Sequence, residues 1–454
     1  MNEAQPEHAA AATEPTTSGP TTILDRMLIE GTTLAPQAPD ELSKTGVDVE
    51  VLRNLLLKWA LTVPNFTTPW ATEKLGLPMH LVEEVCWQLK QDHLLEILGQ
   101  LGPMNYKYAA TQRGRELAQQ IMQISGYLGP APVSLEDYKL MLDWQLARQP
   151  QVREDEVKQA ISQLVLPDEV IEVAALATAS GRSLFLFGPP GNGKTSLGLM
   201  LHRAYEGQIW IPHCINLENN VIRIFDPQIH EEVPCEAWPA HQIDRRWVQI
   251  RRPFVVAGGE MTMEELDLAW SPSLRFYEAP PHLKANGGTF LIDDFGRQRI
   301  EPHELLNRWI IPLEHRIDHL TLVTGQKIQV PFRQMLIVAT NLRVSDVADP
   351  AFLRRMGYRL HLAYPTAEDF AQIFERYAET KQVRLESGVI QYVLARYQAE
   401  RRAMRASEPR DLIERGLDIC RLRDEAPFLD TAILEIAWRG YFGNTPPEAP
   451  NEGT

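Results

Sequence analysis

Cysteine is scarce. The 454-residue chain has four, Cys86, Cys214, Cys235 and Cys420, widely spaced and in no CxxC pair. That pattern excludes a disulfide framework, offers no zinc site and leads us to expect reduced thiols. There is no run of about eighteen apolar residues, so no membrane span is expected. The N-terminus is polar and lacks an apolar targeting segment, and the expected location is cytoplasmic. Positive charge is also short, with 45 Lys and Arg against 60 Asp and Glu and a net charge of −15. A broad nucleic-acid-binding surface is therefore disfavoured. No repeat, no HExxH and no nucleophile–histidine cue is present. His315 and His319, four apart, read as an exposed helix end rather than a metal pair.

What is present divides the chain into segments. Residues 1–45 are rich in Ala, Pro, Thr and Glu and read as a disordered tail, broken by one apolar piece, "ILDRMLIEG", expected to be at most a transient helix. From 46 to 130 the order is helix, helix, helix, two-stranded hairpin, helix. "VEVLRNLLLKWAL", "WATEKLGL" and "PMHLVEEVCWQLKQ" are the first three, "LLEILGQLGPMNYKYAAT" is the hairpin, and Thr111 caps "QRGRELAQQIM". Residues 131–152 read as a Gly/Pro linker and a helix, with Ser134 and Asp137 spaced as a capping box. From 153 to 364 helices alternate with β-rich runs: "SLFLFG", "QIWIPHCINL", "PFVVAGG", "TFLIDD", "QMLIVATN" and "RLHLAY". Such alternation predicts an α/β core with a parallel sheet. Residues 365–442 are helical, and 443–454 form a second loose tail.

The strongest signal is Gly188-Pro189-Pro190-Gly191-Asn192-Gly193-Lys194-Thr195-Ser196, directly after "SLFLF" and opening a helix. Glycines at these positions let backbone N–H groups wrap a β-phosphate, and the helix N-terminus adds positive potential. Lys194 would reach the β- and γ-phosphates of ATP, and Thr195 would hold Mg2+. A second stretch, "TFLIDDFGRQ", runs four uncharged residues into Asp293 and Asp294. Beside a phosphate loop, Asp293 is the expected partner for Mg2+ and Asp294 the base that orients the attacking water. The other reading of these acids is a surface turn.

Taken together, these motifs resemble the AAA+ ATPases over residues 160–440, and "KANGGTFLIDD" is similar to the form found in MoxR-like members and enhancer-binding activators. The resemblance implies an AAA+ P-loop core and a helical lid, while the helix-helix-helix-wing-helix order of residues 46–130 separately resembles a small α+β winged-helix domain over about 80 residues. Matched residue by residue, the AAA+ resemblance makes Asn341 the polar sensor, Arg355 an arginine finger for a neighbouring subunit with Arg354 as the alternative, and Arg410 a second sensor. Most family members have Glu where this chain has Asp294. The gap from Lys194 to Asp293 is 293 − 194 = 99 residues, longer than a compact core needs. Within it, Arg245, Arg246, Arg251 and Arg252 could line a pore, touch a partner or lie on a surface strand. The activators' loop and an aromatic pore loop are both missing. "HRIDHLTLVTGQKIQVPFRQM" resembles the hairpin inserted before the sensor strand in MoxR-like clades.

The expectation is an Mg-dependent ATPase forming a homo-oligomeric ring, a hexamer by resemblance, that remodels a protein client. A DNA-binding regulator or loader is the alternative. The third helix carries Glu83 and Glu84, with Lys90 as its one fixed positive charge, which disfavours phosphate contact. A slowly hydrolysing nucleotide-gated scaffold is a third reading.

Overall fold

The structure is a computed structural model and describes residues 22–443, apart from 206, 219, 348 and 349. Five parallel strands form the central sheet: β1 (Leu184–Phe187), β2 (Phe254–Ala257), β3 (Thr289–Ile292), β4 (Met335–Thr340) and β5 (Tyr358–His361). Their spatial order is β2-β3-β4-β1-β5. Strands β1 to β4 are almost wholly apolar because both faces of the sheet are covered, whereas the edge strand β5 exposes Arg359 and His361. Leu184, Leu186, Leu291, Ile337 and Ala339 pack on one face with Leu197 and Leu201. Phe185, Phe290, Ile292, Leu336 and Val338 pack on the other with Trp309 and Phe352. Helix α1 (Lys194–Arg203) follows β1 through the glycine-rich loop. Four helices close the chain: α2 (Ala367–Thr380), α3 (Val389–Ala399), α4 (Glu408–Leu422) and α5 (Thr431–Phe442). They enclose a separate apolar cluster around Phe370, Phe374, Tyr397 and Trp438. This is an α/β P-loop core with a helical lid. The lid also has one short parallel pair, Arg384–Leu385 with Phe428–Leu429, inside a region that reads as purely helical.

Before the core, helices Val49–Leu61, Thr68–Leu75, Met79–Gln91 and Gln112–Ile124 surround a three-stranded antiparallel sheet. Thr111 Oγ1 accepts from Gly114 N, capping the last helix. In the linker, Ser134 accepts from Asp137 N, but Asp137 does not return the bond. Its carboxylate accepts from Ile23 N instead.

That contact corrects the expectation of a disordered tail through residue 45. Met27–Glu30 and Thr33–Pro36 form a hairpin, and Ile23, Ala35 and Leu42 are buried. The apolar piece "ILDRMLIEG" is thus the start of a docked hairpin, because the 99-residue spacer supplies a surface for it. Residues 1–21 and 444–454, the rest of the two expected tails, lie outside the described residues.

The spacer also departs from its expected reading. "QIWIPHCINL" is two strands, Gln208–Pro212 and Cys214–Leu217, in different sheets and neither in the parallel one. Pro212 lacks the N–H needed to continue a ladder, and the chain turns at His213. Cys214–Leu217 pairs with Asn220–Arg223 as a hairpin and, in parallel, with Val133–Ser134 of the linker. The arginines do not line a common surface. Arg246 is buried against Asp244 and donates to the carbonyls of Thr45 and Pro132. Arg252 donates to Gly287 O and lies over the Tyr205 ring, while Arg245 and Arg251 are exposed. Arg246 therefore pins the N-terminal segments to the spacer. His315 ends helix Pro302–His315 and His319 lies on the next strand, so they do not share a helix face. Strands Ile317–Thr321 and Lys327–Pro331 form the hairpin expected around "TGQK". Among the described residues, no helix is long and apolar enough to cross a membrane and no group of three or more metal-ligating side chains forms.

Candidate nucleotide site and the opposite end of the sheet

The phosphate loop leaves the C-terminal end of β1. Gly188 has φ of 139°, and a Cβ there would stand 2.3 Å from Leu362 O beyond β5. Gly191 and Gly193 have φ of 81° and 80°. Glycine is the residue that adopts these angles without strain, so the loop can curl with its N–H groups turned inward. Pro189 and Pro190 fix φ between Gly188 and Gly191. Asn192 Nδ2 donates to Ala363 O, and its Oδ1 accepts from Ala406 N, joining loop, β5 end and lid. Gly193 caps α1, whose first residues are Lys194, Thr195 and Ser196.

Lys194 Nζ donates to Gly188 O and Pro189 O at 2.9 and 2.8 Å. Burial pushes this ammonium down to about 8, opposed by the charges of Asp293 and Asp294. Thr195 Oγ1 donates to Asp293 Oδ2 at 2.7 Å, so loop and β3 end meet directly. Two hard oxygens at that spacing suit Mg2+, a cation that takes few protein ligands and completes its shell with phosphate and water. Asp293 Oδ1 also accepts from Asp294 N.

Asp294 has φ of 49°, unusual for a residue with a Cβ but tolerated by Asp. The turn is braced by Gln298, whose Nε2 donates to Asp293 O and whose Oε1 accepts from Gly296 N. Asn341 Nδ2 donates to Asp294 Oδ1 at 2.7 Å, fixing the carboxylate. Thus Lys194, Thr195, Asp293, Asp294 and Asn341 come together at one end of the sheet. Gln298 carries no pattern that would single it out in the sequence.

The remaining candidates lie elsewhere. Arg410, on α4, is exposed and pairs with Asp411 next to it. Closer to the loop is Arg405: Gly191 O accepts from Ser407 N, and a Cβ on Gly191 would meet Arg405 Cδ at 3.4 Å. Arg405 escapes a sequence reading aimed at the Pro-Arg-Asp helix start. Arg354 and Arg355 precede β5, and the loop follows β1. The two strands pair from Leu184–Tyr358 to Phe187–His361, so a whole strand, roughly 13 Å at about 3.3 Å per residue, separates the arginines from their own loop. Arg355 Nε donates to Glu314 Oε1 at 2.6 Å. Both arginines line a half-open pocket of about 290 Å³ with Arg182, Arg316 and Gln334.

Comparison with known proteins adds little beyond this geometry. A family described as a domain of unknown function (DUF8689) matches residues 366–440, which are the lid. No match was found among curated proteins. The chain is similar to the Thermotoga maritima RuvB Holliday junction branch migration motor at 15% identity, over 64% of this chain and 72% of that one, with a TM-score of 0.35. It is similar to Brucella abortus NtrX in complex with ADP at 16% identity, over 65% of this chain and 59% of that one, with a TM-score of 0.40. The strand order and the phosphate loop define the fold class here.

Proposed function

We propose that the chain is an AAA+ ATPase, MoxR-like, that assembles into a ring and uses ATP held between copies to remodel a protein partner. One observation carries this reading: the acids, the sensor and the loop lysine share one end of the sheet, whereas Arg355 stands at the other. An arginine a strand's length from its own loop can complete only a neighbour's site. In this reading the loop N–H groups and Lys194 hold the β- and γ-phosphates. Thr195 and Asp293 would hold Mg2+, which supplies charge neutralisation on the phosphates. Asp294, held by Asn341, orients the water and accepts its proton. Arg355 of the adjacent copy, or Arg354, stabilises the charge that builds on the γ-phosphate. Arg405 brings the lid's charge towards the same phosphates, and Arg410 would reach them only by leaving Asp411.

The hairpin before β4 supports the MoxR-like branch. A protein partner is favoured over DNA by the surface of the N-terminal unit. The hairpin there exposes Leu98, Leu101 and Met104 rather than a basic tip. The start of helix Met79–Gln91 is engaged, with His80 Nε2 against Asp40 O and the segment 240–245 beside it. A recognition helix would need that end free for the major groove.

The test is subunit mixing. Lys194→Ala and Arg355→Ala chains, each inactive alone, should recover hydrolysis when combined, because some interfaces then pair an intact loop with an intact finger. If the mixture stays inactive while both variants fold and assemble, a shared site is wrong. Salt-sensitive duplex binding that disappears on deleting residues 1–130 would favour the DNA-linked alternative.

A further inference from the structure

The pocket at the N-terminal end of the sheet has an unusual balance of groups. Four arginines line it: Arg182, Arg316, Arg354 and Arg355. Glu314 pairs with Arg355. Among the described residues, Arg182, Arg316 and Arg354 form no ion pair. The Arg316 guanidinium donates to Gly181 O, and its pKa is lowered by burial and then by the charges of Arg333 and Arg182. Like charges have been brought together here, and no acidic side chain lines the pocket among the described residues. Such clustering costs stability unless something anionic enters.

The second observation is independent. Gln334 is 3% exposed and lines the same pocket. Neither its Nε2 nor its Oε1 has a hydrogen-bond partner among the described residues. A buried amide with both ends unmet is rare, because each unmet group has given up its water without a replacement. The amide sits just before β4, whose pairing with β3 fixes it in place. It offers a donor NH2 group and an acceptor oxygen side by side. Leu313, Phe332, Leu336 and Met356 supply the apolar part of the lining, beside the arginines and Ser183.

We propose that this pocket is a second oxyanion site that takes a phosphate group in its monoprotonated form. The arginines would face the phosphate charge, Gln334 Nε2 would donate to one phosphate oxygen, and Gln334 Oε1 would accept a hydrogen bond from the P–OH. A fully deprotonated anion such as sulfate matches the arginines and Nε2 but leaves Oε1 unmet. The site should therefore discriminate between two anions of equal shape. Two sources supply a phosphate group: free phosphate, which carries the P–OH at neutral pH, and the terminal phosphate of a nucleotide held by a second copy of the chain, which would meet the arginines and Nε2. The second source rests on the ring reading above, and the first does not.

The experiment uses the full chain carrying Lys194→Ala, so that the loop contributes no phosphate site. Inorganic phosphate and sulfate are titrated in turn by calorimetry at pH 7. Phosphate should bind about tenfold more tightly than sulfate, the scale of one hydrogen bond to a charged group. Gln334→Leu should erase that preference without loss of thermal stability, since it removes an unmet amide. Arg182→Gln should weaken both anions. Equal affinity for the two, no binding of either, or indifference to both substitutions would overturn the proposal. A second arm repeats the phosphate titration on the wild-type chain, assembled with a non-hydrolysable ATP analogue. Loss of phosphate binding on assembly assigns the site to a neighbour's nucleotide, and its persistence assigns it to free phosphate. A chain that never assembles removes only the neighbour source.

Discussion

The two ends of the parallel sheet solve opposite problems. At the C-terminal end the three charged residues of the candidate site each have a partner: Lys194 in its loop, Asp293 on Thr195, Asp294 on Asn341. At the N-terminal end four arginines line one pocket, Arg182, Arg316 and Arg354 have no ion pair among the described residues, and a buried amide has no partner among them. The first end is internally complete and needs little rearrangement to receive its ligand. The second is incomplete within one chain and points to something from outside. Under the proposed ring reading, a site split this way would couple chemistry to assembly.

The largest expected effect separates the ends. Arg355→Ala should lower ATP hydrolysis by about 10³ to 10⁵ while leaving ATP affinity unchanged. Steady-state turnover and equilibrium binding on the same preparation check it. If affinity falls in step with turnover, the arginine end is not functionally distinct from the loop end. Full turnover in a strictly monomeric preparation would also refute the division.

How much of this was legible beforehand follows from the range of each interaction. The loop Gly188–Ser196 and the run into Asp293 are local patterns, and their spacing alone marks a phosphate site. Asn341 could be placed because it ends an unbroken apolar strand. Gln298 and Gln334 could not, since each matters through a partner, or the lack of one, set by tertiary packing. The hairpin at Met27–Pro36 was missed for the same reason. Its composition is that of a loose tail, and it is held by Asp137, Asp244 and the bridge from Gln37 to Ile243. Arg246 reads as a member of a surface cluster until Asp244, Thr45 and Pro132 close around it.

A middle-sized effect tests the loop end alone. Asp294→Glu should reduce turnover by about 10²-fold. One added C–C bond moves the carboxylate by about 1.5 Å, away from Asn341 Nδ2, and Glu tolerates the positive φ of this position less well than Asp. Asp294→Asn keeps the backbone preference and removes the base, and should cost at least as much. Single-turnover rates with pre-bound ATP measure both. A faster Asp294→Glu enzyme would mean the turn was not shaped for the shorter acid.

The smallest effect is a pH dependence that belongs to the loop end and not to the arginine end. In the nucleotide-free protein burial holds Lys194 at about 8. Below that pH the ammonium is already charged, and ATP meets it without cost. Above it the amine is neutral, and the polyphosphate must draw in a proton to gain the charge. Affinity should therefore be flat below about pH 8 and fall up to about tenfold per unit above it. Calorimetry at pH 9 in two buffers of different ionisation heat should show net proton uptake. Lys58 is also held near 8 by burial, but it donates to Ser125 O between the N-terminal helices and does not touch the loop. Its titration moves stability and leaves nucleotide-linked uptake alone. The arginines stay charged throughout this range, so the turnover ratio of Arg355→Ala to wild type at saturating ATP should not change with pH. A ratio that drifts across pH 8 would mean the two ends share a titrating group.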